Sequence, residues 1–266
     1  MTEEEWLASL PTPWTLQEKE LAEVLPAFHK RYPEFEDRLR AIALWRLRTP
    51  YKIFQVGEER PPDTHPIFRL DVSDCTIHVL TSLSLAQSES WQEARSNMIQ
   101  IHYKPDEQGT RSPDYLRRWH FTADRLMNHP STREISAELI APDKMAVQPI
   151  TLNQKADGTE HHALGWQLKA DVRYIPNEQI NERLLKKLPR IAGVAFVKKE
   201  IFELGIIAAH EGMIIDNQYL LHASQIEGET VKEDFMKFYF TDEGPRYTGI
   251  MIYRFYPLES HSAAAK

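Results

Sequence analysis

The 266-residue chain contains a single cysteine. No internal disulfide can form, so neither a disulfide-stapled fold nor a redox compartment can be read from cysteine pairing. Long apolar runs are missing as well: none approaches the roughly 20 residues that carry a helix across a bilayer. Positive charge is in deficit, with 32 Lys and Arg against 39 Asp and Glu, a formal charge of -7. That balance excludes a general grip on nucleic acid, which needs a basic footprint. Among only ten glycines there is no glycine-rich phosphate loop, and no Gly-x-Ser-x-Gly elbow occurs. The histidines are scattered, and with one cysteine they offer no three- or four-ligand zinc spacing. No metal and no cofactor is expected.

What is present is the composition of a folded domain, 42% hydrophobic and 27% charged. Apolar spacing predicts helices over 15–31 and 33–47, the second opened by Pro33. A loop follows from Thr49-Pro50-Tyr51 to about Pro66, then a short extended approach over 68–72. The run from Cys75 to about Ala86 is read as a helix capped by Ser73 or Asp74. A further helix is expected over 90–100, a surface excursion with little core content over 104–120, and a short helix over 121–127. From Arg133 the pattern changes to short apolar runs broken by turn residues. Strands are expected at 135–140, 145–152, 163–172, 194–197, 206–215, 219–224 and 247–255, with Asp157-Gly158 at a hairpin tip. Helices are expected over 176–187 and 231–239. Residues 261–266 carry no fold argument. Helices first and sheet afterwards imply one α+β domain over 1–266, helical to about 130 and sheet-rich over about 131–258.

Three residues carry chemistry. Cys75 stands in Asp74-Cys75-Thr76, at a helix start, where unpaired N–H groups favour a thiolate. It is either a small buried hydrophobe or a nucleophile. His210 and His222 lie at mirrored distances from Asp216-Asn217, a turn signal between apolar runs. A hairpin closing there brings them opposite or nearly opposite on one face, where cross-strand neighbours sit about 4.5–5.5 Å apart at Cβ. A base and the group that orients it need that proximity. Either histidine alone reads as a strand residue with local hydrogen bonds. His78 points the same way as Cys75 but from the same helix, and His161-His162 reads as a solvated loop.

Together these residues resemble the NlpC-type branch of papain-like cysteine peptidases and, more closely, the bacterial N-acetylmuramoyl-L-alanine amidase-like family related to it. Thr49-Pro50-Tyr51 is similar to a family Gly-Thr-Pro-Tyr segment, and Asp74-Cys75-Thr76 to the nucleophile turn. Tyr115-x-x-Arg118-x-His120-Phe121 resembles a middle signature. The segments 205–212 and 221–224 resemble the strands of the general base and of the third catalytic group. Three departures stand out: Arg48 where glycine is usual, Glu211 for an apolar residue, and His78 for an aromatic one.

The resemblance implies a papain-like (NlpC-type) core with N-terminal helices and a central antiparallel sheet. It implies a cysteine hydrolase acting on an amide bond of peptidoglycan or muropeptides, with N-acetylmuramoyl-L-alanine amidase as the first expectation. Stem-peptide cleavage between D-Glu and the third residue, acyl transfer, and muropeptide binding without turnover are the alternatives. Cys75 would be the nucleophile, His210 the base and His222 its orienting partner, with Tyr51, Asp74, Arg118 and His120 as substrate contacts. The acidic opening Met1-Thr2-Glu3-Glu4-Glu5-Trp6 has no secretory-signal pattern. The expected location is periplasmic or secreted as a mature form, with a cytoplasmic location as the other option. Nothing in the sequence fixes an oligomeric state.

Overall fold

Helix formation begins earlier than expected. In the computed structural model, which describes residues 1–258, α1 (Glu3–Ser9) is opened by a capping box in which Thr2 and Glu5 satisfy each other's backbone N–H groups. Then come α2 (Glu18–Arg31), α3 (Phe35–Trp45), α4 (Cys75–Leu85), α5 (Trp91–His102) and α6 (Thr122–Asn128). The second half holds β1 (Thr132–Glu134), α7 (Ser136–Leu139), β2 (Ala146–Leu152), β3 (Leu168–Pro176), α8 (Glu182–Leu185), β4 (Ile191–Val197), β5 (Ala208–Ile215) and β6 (Tyr219–Ser224). It ends with β7 (Glu229–Asp234), α9 (Phe235–Tyr239), the two-residue strands β8 (Phe240–Thr241) and β9 (Gly244–Pro245), and β10 (Gly249–Phe255). The expectation for 261–266 lies outside the described residues.

One antiparallel sheet organises these elements, in the order β2-β3-β10-β4-β5-β6-β7, with β1 on β10. This is a mixed α+β fold around a central antiparallel sheet. One face carries the large core shared with α2–α6 through Phe28, Leu39, Leu80, Leu83, Met98 and Leu126. The other carries a smaller core closed by α7, α8 and α9. Strand β4 lies between the two and is buried along its length, which is why it reads as an unbroken apolar run. Helix α4 is buried from Ile77 through Leu85, so it lies between other elements with no solvated face.

Several expected elements differ. Residues 135–140 form the single turn α7, because Glu134 accepts the Ser136 N–H at 2.6 Å and starts a helix where alternation suggested a strand. Within 176–187 only α8 is α-helical; Pro176 ends β3, and the Asn181 side chain caps the new start at Leu184 N–H. The span 231–239 divides into strand β7 and helix α9, split by Asp234, which accepts the Lys237 N–H at 3.0 Å. The run 163–172 joins the sheet only at Leu168. The excursion 104–120 is less superficial than expected, since Trp119 is buried.

A buried ion pair ties the helical layer to the sheet. The Glu211 carboxylate on β5 receives Arg125 of α6, the Tyr253 hydroxyl of β10 at 2.5 Å, and the Thr76 hydroxyl of α4 at 3.1 Å. Both charged side chains are 1% exposed. Tyr253 lies across β4 only because position 193 is glycine; a Cβ there would fall 1.9 Å from its ring. Behind α4, the buried Arg46 donates to the His78 carbonyl at 3.0 Å, Ser82 Oγ at 3.1 Å and Ser73 Oγ at 3.2 Å.

Removing one member of a buried ion pair strands the other without compensation, at a cost of about 3–5 kcal/mol. Glu211→Leu should lose about that much stability in urea unfolding. The double variant Glu211→Leu/Arg125→Met should recover a large part of it.

Candidate active site

Cys75 is the first residue of α4. Asp74 caps the helix, its Oδ1 accepting the Ile77 N–H at 2.8 Å, while its Oδ2 accepts the Phe54 N–H at 3.0 Å. The Cys75 N–H donates to no other group among the described residues, as expected of the first amide of a helix. The segment before Tyr51 is stitched down on two sides. Tyr51 N–H donates to the Gly228 carbonyl at 2.8 Å, Lys52 N–H to Ser73 at 3.0 Å, and Thr230 N–H to Thr49 at 2.9 Å. Tyr51 thus stands beside the thiol, and its phenol is raised by burial, with Cys75 and Asp74 adding to the shift.

The hairpin of β5 and β6 closes at Asp216-Asn217, both with positive φ (52° and 56°), the backbone of a type I′ turn. Its pairs run Ile215–Tyr219, Ile214–Leu220 and Met213–Leu221. Continuing that count puts Gly212 across from His222, so His210 reaches His222 diagonally. A Cβ at Gly212 would crowd the Leu221 carbonyl oxygen at 2.9 Å and His222 Cβ at 3.1 Å; glycine there leaves room for the two rings. A register shift at Phe196/Val197 falls beside His210, and such bulges re-aim side chains.

The rings meet with His210 Nε2 and His222 Nδ1 2.8 Å apart. On its far side His222 Nε2 lies 2.7 Å from Glu233 Oε1 on β7. Phe196 stacks on His210 at 5.5 Å and Phe238 packs against His222 at 4.9 Å. Burial lowers both histidines, His210 to about 3 and His222 to about 4, so both are uncharged at neutral pH. Burial pushes the Cys75 thiol up to about 12; the Asp74 and Glu211 carboxylates add to this, while the Thr76 hydroxyl and Glu211 N–H offset part of it. That dependence places the sulfur against β5 at the residue following His210. Tyr247 adjoins it too, raised to about 12 by burial first and then by Cys75, with its ring 4.7 Å from Phe196.

The structure therefore brings His210 and His222 into hydrogen-bond contact, and sets the Cys75 thiol among Asp74, Glu211, Tyr51 and Tyr247, with Asp74 acting as a cap and loop anchor. Arg118 and His120 are engaged elsewhere. Arg118 holds Glu58 through two bonds of 2.6 and 2.7 Å and Asp63 at 2.8 Å. His120 Nε2 donates to the Tyr115 carbonyl at 2.6 Å and packs on His162. His161 and His162 are half-buried against Phe121 and His120, not a solvated loop. His78 is fully buried and forms no hydrogen bond through its ring, a packing position consistent with an aromatic residue there. Glu233, Tyr247 and Phe238 are site residues that the sequence reading missed. The alternation of Thr230, Val231, Lys232 and Glu233 after Gly228 was the available signal for the first.

Residues 42–244 match the profile of the AmiA-like family, described as N-acetylmuramoyl-L-alanine amidase-like. The chain belongs to that family. No curated protein sequence matches it. Its fold is similar to that of a Legionella pneumophila protein of the DUF1460 family, at 20% identity over 92% of this chain and 97% of that one, with a TM-score of 0.71. It is also similar to an N-acetylmuramoyl-L-alanine amidase from Bacteroides uniformis, at 17% identity over 82% and 97%, with a TM-score of 0.61. Membership supports a peptidoglycan amidase-like role, and of the candidate site residues only Tyr247 lies outside the matched span, three positions beyond its end.

Two departures from the family pattern acquire physical readings. Arg48 has φ 71°, the left-handed region that glycine occupies without penalty. Its exposed side chain reaches toward Glu229 at 3.8 Å. Glu211 points into the helical core and is fully engaged there by Arg125, Tyr253 and Thr76.

The amidase-like chain should be acid-labile in a defined window. Burial holds His120 and His129 near 4 as well, and His78 and His102 well below their ordinary value. An unfolded histidine titrates near 6.5. Below that pH the unfolded chain takes up protons that the folded chain refuses, so this stability is present above about 6.5 and lost toward 4 and below. The urea midpoint should be flat from pH 7 to 8 and fall steeply between about 6.5 and 4.

Proposed function

We propose that this protein hydrolyses an amide bond of peptidoglycan or its muropeptides by cysteine catalysis, at the bond between the muramoyl lactyl group and L-alanine. The observation that carries this is the hydrogen-bonded pair His210–His222, on the strand whose next residue, Glu211, adjoins the Cys75 thiol at the start of α4. A helix packed with its nucleophilic end against an antiparallel sheet is read here as a papain-like core of the NlpC type.

The mechanism follows from the donors and acceptors. His210 uses Nε2 on His222, so Nδ1 is the ring nitrogen left to take the thiol proton. Cys75 Sγ attacks the carbonyl carbon as that proton moves. The oxyanion of the tetrahedral intermediate accepts from the Cys75 N–H, an interaction of the type worth ~3 kcal/mol in the transition state. On this reading Tyr51, whose phenol feels the Cys75 thiol, donates a second hydrogen bond. Collapse breaks the C–N bond; His210 returns the proton to the leaving amine and a thioester remains. Water, deprotonated by His210, then releases the carboxylic acid and restores the thiol. Thiol and imidazole begin uncharged, so proton transfer accompanies attack. Action at the cell wall, in the periplasm or outside the cell, is part of the proposal.

The test is mass spectrometry of muropeptides and whole sacculi treated with wild type and with Cys75→Ala. Stem peptides beginning at L-alanine should appear with wild type and fall by at least 10³-fold with Cys75→Ala, in line with the loss of a covalent nucleophile. Fragments cut within the stem would reassign the bond to an endopeptidase. Binding by both proteins without cleavage by either would overturn the enzymatic reading.

A further inference from the structure

A carboxylate closes the histidine chain. Ionised Glu233 can only accept a hydrogen bond, so the 2.7 Å contact at Oε1 makes His222 Nε2 the protonated nitrogen. His222 Nδ1 is then a bare acceptor, and the 2.8 Å contact to His210 makes His210 Nε2 the donor. His210 Nδ1 is left without a proton, and on the proposed reading it is the atom that accepts the proton of the thiol. Reversing the first link reverses each of the others, and His210 would then present an N–H, which cannot accept a proton.

We propose that Glu233 is a positioning residue that fixes the tautomers of both histidines and so keeps His210 in its basic form. The proposal rests on the reading of Cys75 and His210 as the reacting pair. It also accounts for the placement of β7 as the sheet's last strand: the register His222–Val231 and Leu220–Glu233 sets Glu233 on the face of β6 that bears His222. No proton leaves the chain. When His210 takes the thiol proton, its imidazolium donates from Nε2 to His222, whose own Nε2–H stays on Glu233, so the carboxylate offsets the new positive charge through one neutral ring. Arg246 is the neighbouring cation that acts on both His222 and Glu233. Its guanidinium sits over the Phe238 ring at 5.4 Å, which keeps it beside the chain.

Glu233→Gln tests this with little change of shape at a half-exposed side chain. A carboxamide can either accept from His222 Nε2–H or donate to a bare Nε2, so it permits both tautomers. Imidazole ¹⁵N shifts in wild type should show Nε2–H on His222 and on His210. In Glu233→Gln the Nδ1–H form of His222 should appear, kcat on muropeptide should fall roughly tenfold to a hundredfold, the scale for a lost partner behind a reacting group, and KM should be unchanged. Glu233→Asp, which keeps the charge, should retain the wild-type tautomers and more of kcat. Unchanged tautomers in Glu233→Gln, or an Nδ1–H His222 in wild type, would overturn the proposal. If wild type cleaves muropeptides and Glu233→Gln cleaves them equally fast, the proposal fails while the amidase reading stands. If wild type cleaves nothing but the tautomers shift as described, the amidase reading fails while the tautomer control stands.

Discussion

The site depends on one buried carboxylate that takes no part in the proposed chemistry. Glu211 joins four elements, α4 through Thr76, α6 through Arg125, β10 through Tyr253 and its own strand β5. Burying a charge costs several kcal/mol unless its partner and its remaining lone pairs are satisfied, and here both oxygens are engaged. The result is a fixed distance between the start of α4 and the segment of β5 that carries His210. A nucleophile on a helix and a base on a strand otherwise share no local geometry. Adjacent residues on β5 alternate faces, so Glu211 faces the helical core while His210 faces the aromatic side, and one strand both anchors the helix and presents the proposed base.

The aromatic side sets the electrostatics. Phe196 and Phe238 pack against His210 and His222, with Tyr247 behind Phe196, and the burial keeps both rings uncharged. In such surroundings each hydrogen bond strengthens, and every unsatisfied group is expensive. The direction of the chain Glu233–His222–His210 is therefore a consequence of burial as much as of position.

Much of the site was legible because its signals are local. Asp74 before a continuous apolar run announces a capped helix, and Asp216-Asn217 between apolar runs announces a tight hairpin, so Cys75, His210 and His222 follow from short-range chemistry. The losses are long-range. Val231, Phe235 and Phe238 have helical spacing, and only pairing with β6 converts 229–234 into strand, so Glu233 was hidden inside an expected helix. Tyr247 reaches the site by the return of the chain between β9 and β10, which nothing in its neighbours encodes. Arg118 drew attention through its motif; its two carboxylates lie 60 and 55 residues upstream, beyond the reach of pattern reading. In contrast, α1 was locally encoded by Thr2 and Glu5.

The field around the cysteine decides which form of cysteine chemistry is available. Helix starts lower thiol pKa values through free N–H groups, but here Asp74 consumes the Ile77 N–H and contributes its own charge, and Glu211 contributes a second. Behind the helix the buried Arg46 is spent on the His78 carbonyl, Ser73 and Ser82. A resting thiolate would face two carboxylates with no imidazolium to balance them, because His210 is held uncharged by burial. On the proposed reading, the ion pair is formed only as the carbonyl is attacked, when negative charge moves from sulfur to the oxyanion beside the Cys75 N–H. On that same reading the single cysteine rests as a weakly reactive thiol, and the tautomer of His210, more than the acidity of Cys75, controls the rate.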